Sequence, residues 1–186
     1  MRPPRWLRLL RRDQRAVAAV EFALILPLLL TLYFGTVEAA ALYTVDQRVS
    51  TVASTMADLV SRERNSISAN TTLNNYFHAA QGIMLPYSTD GLKQVVSMLQ
   101  IDGAGVATVR WSVGYNGGVA RAANSGFDMT ADPRINELAR GSSGYLVVSE
   151  IVYPYRPMLG LVINRTFDIT HTEYFLPRYE AFISLS

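Results

Sequence analysis

The stretch that decides the architecture is VAAVEFALILPLLLTLYFGTV, residues 17–37, which carries a single charge, Glu21. At about 1.5 Å rise per residue, a helix of 21 residues spans roughly 30 Å, the hydrocarbon thickness of a bilayer. The charge-free part, residues 22–37, is 16 residues long and falls short of a full span, so residues 17–20 belong to it. The flanks differ sharply. Arg2, Arg5, Arg8, Arg11, Arg12 and Arg15 precede the stretch, whereas Glu38 and Asp46 follow it. By the positive-inside rule the amino terminus is expected in the cytoplasm and the chain beyond about residue 40 outside the inner membrane.

Working outward, that leader accounts for the basic character of the whole chain. The 186 residues hold 17 Lys+Arg against 15 Asp+Glu, a formal charge of +2 with a pI near 9.0. Without residues 1–16, eleven basic residues face fourteen acidic ones, and the net charge becomes −3. A slightly acidic body with no basic patch argues against a nucleic-acid partner. The absence of cysteine excludes a disulfide scaffold, a thiolate zinc site, an iron–sulfur cluster and a cysteine nucleophile. Only His78 and His171 are present. His171-Thr-Glu173 lacks the following Cys-x-x-Cys of a deaminase, and Gly103-Ala-Gly105 opens no helix. No catalytic residue, metal site, cofactor or small-molecule substrate is therefore expected.

A glutamate inside a membrane helix costs about 2.5–3.5 kcal/mol on insertion scales, so one that is tolerated usually has a partner. A cut between Ala16 and Val17 would create a free α-amine four residues before Glu21, about one helical turn away. That amine is largely protonated near neutral pH, and it could neutralise Glu21 of its own chain or of a staggered neighbouring helix. Other readings of the segment are an ordinary signal peptide cut after Ala39-Ala40-Ala41, a twin-arginine signal at Arg11-Arg12, and an uncleaved single-pass anchor whose periplasmic domain binds an envelope partner. The plain anchor leaves Glu21 unexplained.

A basic leader, a small residue, four apolar residues, then Glu21-Phe22 and a long apolar helix resemble a type IV prepilin processing site. RRDQRAVAAVEFALILPLLL, residues 11–30, is most similar to the TadE-like pilins of the tight-adherence (Flp pilus) system. The resemblance implies that Ala16 ends the leader, Val17 starts the mature chain, and Glu21 and Phe22 are the assembly glutamate and its aromatic neighbour. The departure is Ala16, where such leaders most often end in glycine. It also implies a prepilin peptidase and other pilins or pseudopilins as partners. Tyr153-Pro-Tyr155-Arg-Pro157 and the closing Phe-Leu-Pro-Arg178 are similar to the carboxy-terminal part of the same family.

Pro27 removes the hydrogen bond to the carbonyl of Ala23, and a kink is expected there. Leu42, Val45, Val49, Val52, Met56 and Leu59 recur at spacings of three and four, the seam of an amphipathic helix. Neither glycine nor proline interrupts positions 36–64, so one helix is expected from Val17 to about Arg64. Its seam would pack on the chain's own domain, on other pilin helices, or on both.

The expected organisation is thus a leader at 1–16, a membrane helix at 17–37, an amphipathic extension at 38–65 and an exported α+β domain at 66–186. Within that domain residues 66–72 read as a linker. A short helix is expected over 73–81, with Thr71 or Thr72 as cap and Gly82 as stop, and another over 132–141. Strands are expected over 94–101, 106–115, 145–153 and 166–175, with a hairpin loop at 102–105. Ala107, Val109, Trp111, Val113 and Tyr115 alternate with polar residues, which predicts a sheet buried on one face and wet on the other. Pro154 and Pro157 are expected to end the third strand's pairing. The whole predicts a pilin-like fold, a long helix followed by an antiparallel sheet of about four strands.

Overall fold

The computed structural model describes residues 14–129, 144–160, 164–179 and 182–186. The leader up to residue 13 and the short helix expected at 132–141 lie outside the described residues. Helix α1 (Gln14–Ser61) runs for 48 residues and continues through Pro27. The chain forms two compact units: one holds the helix up to Leu42 together with Arg156–Arg165, the other Tyr43–Tyr155 and Thr166–Ser186.

In the second unit the helix buries Val45, Val49, Val52, Ala53, Met56, Ala57 and Val60 completely, while Leu59 is half-buried. The 3.6-residue period brings these positions onto one face, and loss of contact with water stabilises each large one by about 1.5–3 kcal/mol. The helix stops at Ser61, three residues before the expected end. The reason is tertiary. The backbone N–H of Arg178 donates to the Ser61 carbonyl at 2.9 Å, taking the acceptor that another helical turn would have used.

Residues 66–72, expected as a linker, are structured. Strand β1 (Ser66–Ile67) pairs in parallel with the chain's last strand, and Ile67 is buried. A single π-helical turn (Ala69–Leu73), closed by Leu73 N–H to the Ser68 carbonyl at 2.9 Å, leads into helix α2 (Asn74–Ile83). Neither Thr71 nor Thr72 caps this helix, and Gly82 lies inside it. Leu73, Phe77, Ala80 and Met84 are its buried positions, and Phe77 stacks on Tyr115 with centroids 5.0 Å apart.

Strands β2 (Lys93–Ile101), β3 (Ala107–Tyr115), β4 (Gly126–Phe127), β5 (Gly144–Tyr155) and β6 (Phe167–Phe175) form one antiparallel sheet in the order β4-β3-β2-β5-β6. The fold is the expected α+β one, with a fifth strand of two residues beyond the four expected. In the β2–β3 hairpin the Asp102 carboxylate accepts from the N–H groups of Ala104 and Val106, each at 2.9 Å, and Gly105 takes φ +81°. Strand β7 (Ser184–Leu185) closes the chain against β1.

Two details depart from the alternation read in β3. Met98 pairs with Trp111 but Leu99 pairs with Val109, so Arg110 is an extra residue without a ladder partner, a β-bulge. Opposed residues share a face and successive ones alternate, so Trp111 and Val109 fall on opposite sides of the sheet. One face then carries Val96, Met98, Trp111, Val147 and Ile151. The other carries a separate apolar cluster of Leu99, Ile101, Ala107, Val109, Leu146 and Val148, closed by Met129. The sheet is thus apolar on both faces at this end, where a wet face was expected. Pro154 also fails to end β5, since Pro154 pairs with Asp168 and Tyr155 with Phe167. β2 pairs with β5 only as far as Val152, so Pro154 lies where β5 has a strand on one side alone, an edge position that a proline tolerates.

Trp111 donates its indole N–H to the Ile183 carbonyl at 2.6 Å in a buried position, tying the carboxy-terminal segment to the sheet. Trp111→Phe leaves that carbonyl unpaired and is expected to cost about 1–3 kcal/mol in a thermal unfolding experiment. Near the end of α1, hydrogen bonding from Arg62, partly opposed by burial and reinforced by Arg178, holds the Asp58 carboxyl below its ordinary value of 3.8. An acid that ionises more easily in the fold contributes stability above its unfolded pKa and loses it as pH falls through the lowered folded value. Stability measured on the acid side should therefore drop below about pH 4 less steeply in Asp58→Asn than in the wild-type chain.

Candidate functional site

The first unit contains the residues singled out by the sequence. α1 begins at Gln14, so Ala16 and Val17 both lie in its first turns. Val17, Glu21 and Phe22 are exposed, and Glu21 follows Val17 by four residues on one continuous helix. At about 1.5 Å rise per residue, their α-carbons are separated by roughly 6 Å along the axis. An amine created at Val17 is thus within reach of the Glu21 carboxylate of the same chain. Pro27 sits six residues further on. Thr31 donates its hydroxyl to the Pro27 carbonyl at 2.8 Å, and Thr36 does the same to Leu32 at 2.7 Å. Such bonds satisfy hydroxyls without water, as an apolar surround requires.

The exposure pattern is the main observation. From Val17 to Tyr33 every residue of α1 is exposed, including Leu24 at 75%. A helix segment apolar on almost all sides and uncovered by the other described residues is poorly matched to water and well matched to lipid. Val17–Ser61 is long and apolar enough to cross a membrane, and its most apolar window has a mean hydropathy of 2.2 and no buried residue. Beyond Tyr33 one face of the helix is covered while the other stays exposed. Phe34 and Gly35 are half-buried, Glu38 is buried at 5%, and Ala41 and Leu42 are half-buried, all on one face by their spacing.

Of the expected packing seam, Leu42 belongs to the first unit, whereas Val45, Val49, Val52, Met56 and Leu59 belong to the second. The four fully buried members pack within this chain's own core, alongside Ala53, Ala57 and Val60, which a search for large apolar residues passes over. The structure also reveals polar partners that the sequence did not disclose. His171 Nε2 lies 2.8 Å from Asp46 Oδ1, Arg48 donates to the Ile83 carbonyl at 2.6 Å, and Arg178 meets Asp58 at 2.8 Å. His171, taken only as half of a deaminase-like motif, thus bonds a carboxylate on the helix. The local signals were weak, because each pair joins residues at least 35 positions apart.

Residues 16–58 match the family model described as TadE-like protein. The match covers the helix from Ala16 through most of the buried seam, the same stretch on which the sequence resembles that family. No curated protein and no solved structure matches the chain. A segment similar to TadE-like proteins thus coincides with a helix long and apolar enough to cross a membrane. An arginine at the middle of the apolar stretch costs about 2.5–3.5 kcal/mol on insertion scales. Leu26→Arg is therefore expected to lower the carbonate-resistant membrane fraction markedly, while the same change at exposed Val119 leaves it unchanged.

Proposed function

We propose that this chain is a minor pilin, or pseudopilin, that contributes to the biogenesis or priming of a tight-adherence (Flp, type IVb) pilus after a prepilin peptidase cuts between Ala16 and Val17. The carrying observation is the TadE-like match over residues 16–58, which starts at the residue before that cut. In this reading the helix first holds the protein in the inner membrane, with the arginine leader cytoplasmic and the sheet domain periplasmic. On incorporation into a filament it exchanges lipid for the helices of other pilins.

The role of each residue follows from the cost of charge in an apolar surround. Val17 supplies a protonated amine, and Glu21 supplies the carboxylate that neutralises it within one chain or between staggered helices. A pair of opposite charges removes the penalty each would suffer alone and sets the axial register between neighbours. Phe22 packs beside that pair. Pro27 leaves one carbonyl without its helical donor and gives the helix a point of local adaptation. The proposal involves no catalytic step, cofactor, metal, nucleic acid or small-molecule substrate.

One observation favours a second reading, an uncleaved anchored periplasmic domain that binds an envelope partner. α1 begins at Gln14, upstream of the proposed cut, so the Ala16–Val17 bond lies in helical backbone. Intact mass of the membrane-extracted chain separates the two readings. The expected amino terminus is Val17 when the peptidase is present, and a chain still starting at Met1 would overturn the maturation step. Glu21→Gln is expected to abolish or strongly reduce piliation with membrane insertion unchanged. Normal piliation in that variant would remove Glu21 from assembly.

A further inference from the structure

Ten residues far from α1 in sequence belong to its unit. Arg156–Arg165 connects β5 to β6, yet it groups with the helix up to Leu42 and not with the sheet from which it emerges. Its described residues do not look like an ordinary solvated loop. Met158 is 81% exposed and Leu159 40%, beside Gly160 at φ +62°. Arg156 and Arg165, also exposed, flank them. In sequence the ten residues include no acidic side chain and two arginines, within a body that is net acidic. Exposed apolar side chains framed by cations and free of carboxylates are the composition of a segment that lies on an anionic lipid surface.

The helix residues in this unit agree. The apolar run ends at Val37, and Glu38 marks where a bilayer-spanning stretch would emerge. Exposed Tyr33 lies just before that point, as aromatic residues do at a membrane–water interface. We propose that residues 156–160 together with Arg165 form a second membrane contact, in which Met158 and Leu159 enter the headgroup region beside the helix exit while Arg156 and Arg165 bind lipid phosphates. The proposal rests on α1 being a membrane anchor. Its occupant is lipid, because the segment is continuous with the lipid-facing helix in one compact unit and its charge is complementary to anionic headgroups. The contact would give the anchored protein a second fixed point and restrict rotation about the helix axis.

The chain contains no cysteine, so single-cysteine variants of the full-length protein label uniquely. Met158→Cys, Leu24→Cys and Val119→Cys would each carry a nitrobenzoxadiazole fluorophore in phosphatidylcholine–phosphatidylglycerol vesicles. Iodide on both sides of the membrane and headgroup-level nitroxide lipids serve as quenchers. The label at 24 should be shielded from iodide, and the label at 119, where the native side chain is 84% exposed, should be open to it. The label at 158 is expected to show severalfold less iodide quenching than at 119, together with strong quenching by the headgroup nitroxide. That shielding should weaken when Arg156→Gln and Arg165→Gln are combined, or when the vesicles contain phosphatidylcholine alone. A label at 158 as open to iodide as at 119, with 24 still shielded, overturns the loop contact and leaves the anchor standing. An open label at 24 overturns the anchor itself. Shielding at 158 that rises with the protein-to-lipid ratio assigns the surface to a second copy of the chain and overturns lipid as its occupant. Shielding unchanged by the arginine substitutions overturns the phosphate contacts.

Discussion

One unbroken helix must satisfy two different surroundings, and the rest of the molecule is arranged around that constraint. Along α1 the backbone hydrogen bonds are internal, so the main chain is indifferent to what lies outside it. The side chains are not. From Val17 to Tyr33 they are exposed and, Glu21 and Thr31 apart, apolar or aromatic, and from Val45 to Val60 a single face is fully buried in protein. The change occurs over about three turns around Glu38.

The second half of α1 is fixed on its sheet by bonds at several heights. Asp46 meets His171 of β6, Arg48 meets the carbonyl of Ile83, and Asp58 and the Ser61 carbonyl both meet Arg178. Exposed or half-exposed pairs of this kind are each worth at most about 1 kcal/mol. Their main effect is on placement. Apolar packing of valines and alanines tolerates sliding by a turn, whereas four polar contacts to separate strands and segments do not. The carboxy-terminal residues complete the arrangement, because β7 pairs with β1 directly after the helix and Trp111 holds the Ile183 carbonyl.

What was legible in the sequence had strong local causes. The apolar run with its arginine flank, the 3.6-residue seam beyond it and the hairpin at Asp102 each follow from adjacent residues. The family resemblance over the helix was likewise contained in a short contiguous motif, and the match at residues 16–58 falls on it. The features that escaped depend on partners distant in sequence. The bulge at Arg110 is a register choice between two strands and has no glycine to announce it. Ser66-Ile67 reads as polar linker because its pairing strand lies at the far end of the chain. Pro154 reads as a stop, but a proline is tolerated where its strand loses only a bond it can spare. Glu38 and Asp46 carry no motif, the partial motif at His171 points elsewhere, and only the fold shows which of them are withdrawn from water or bonded.

The sequence by itself determined that there is a long apolar helix with a basic leader, where its charges sit and which face of its second half is apolar. These follow from covalent periodicity and from the transfer energy of individual side chains, which need no fold to be evaluated. The tertiary structure decided where that helix ends, how the sheet turns both faces apolar, and that Arg156–Arg165 belongs with the helix and not with its own strands. Each of those outcomes is set by a hydrogen bond or contact between segments far apart in the chain, and no local property of either segment contains it.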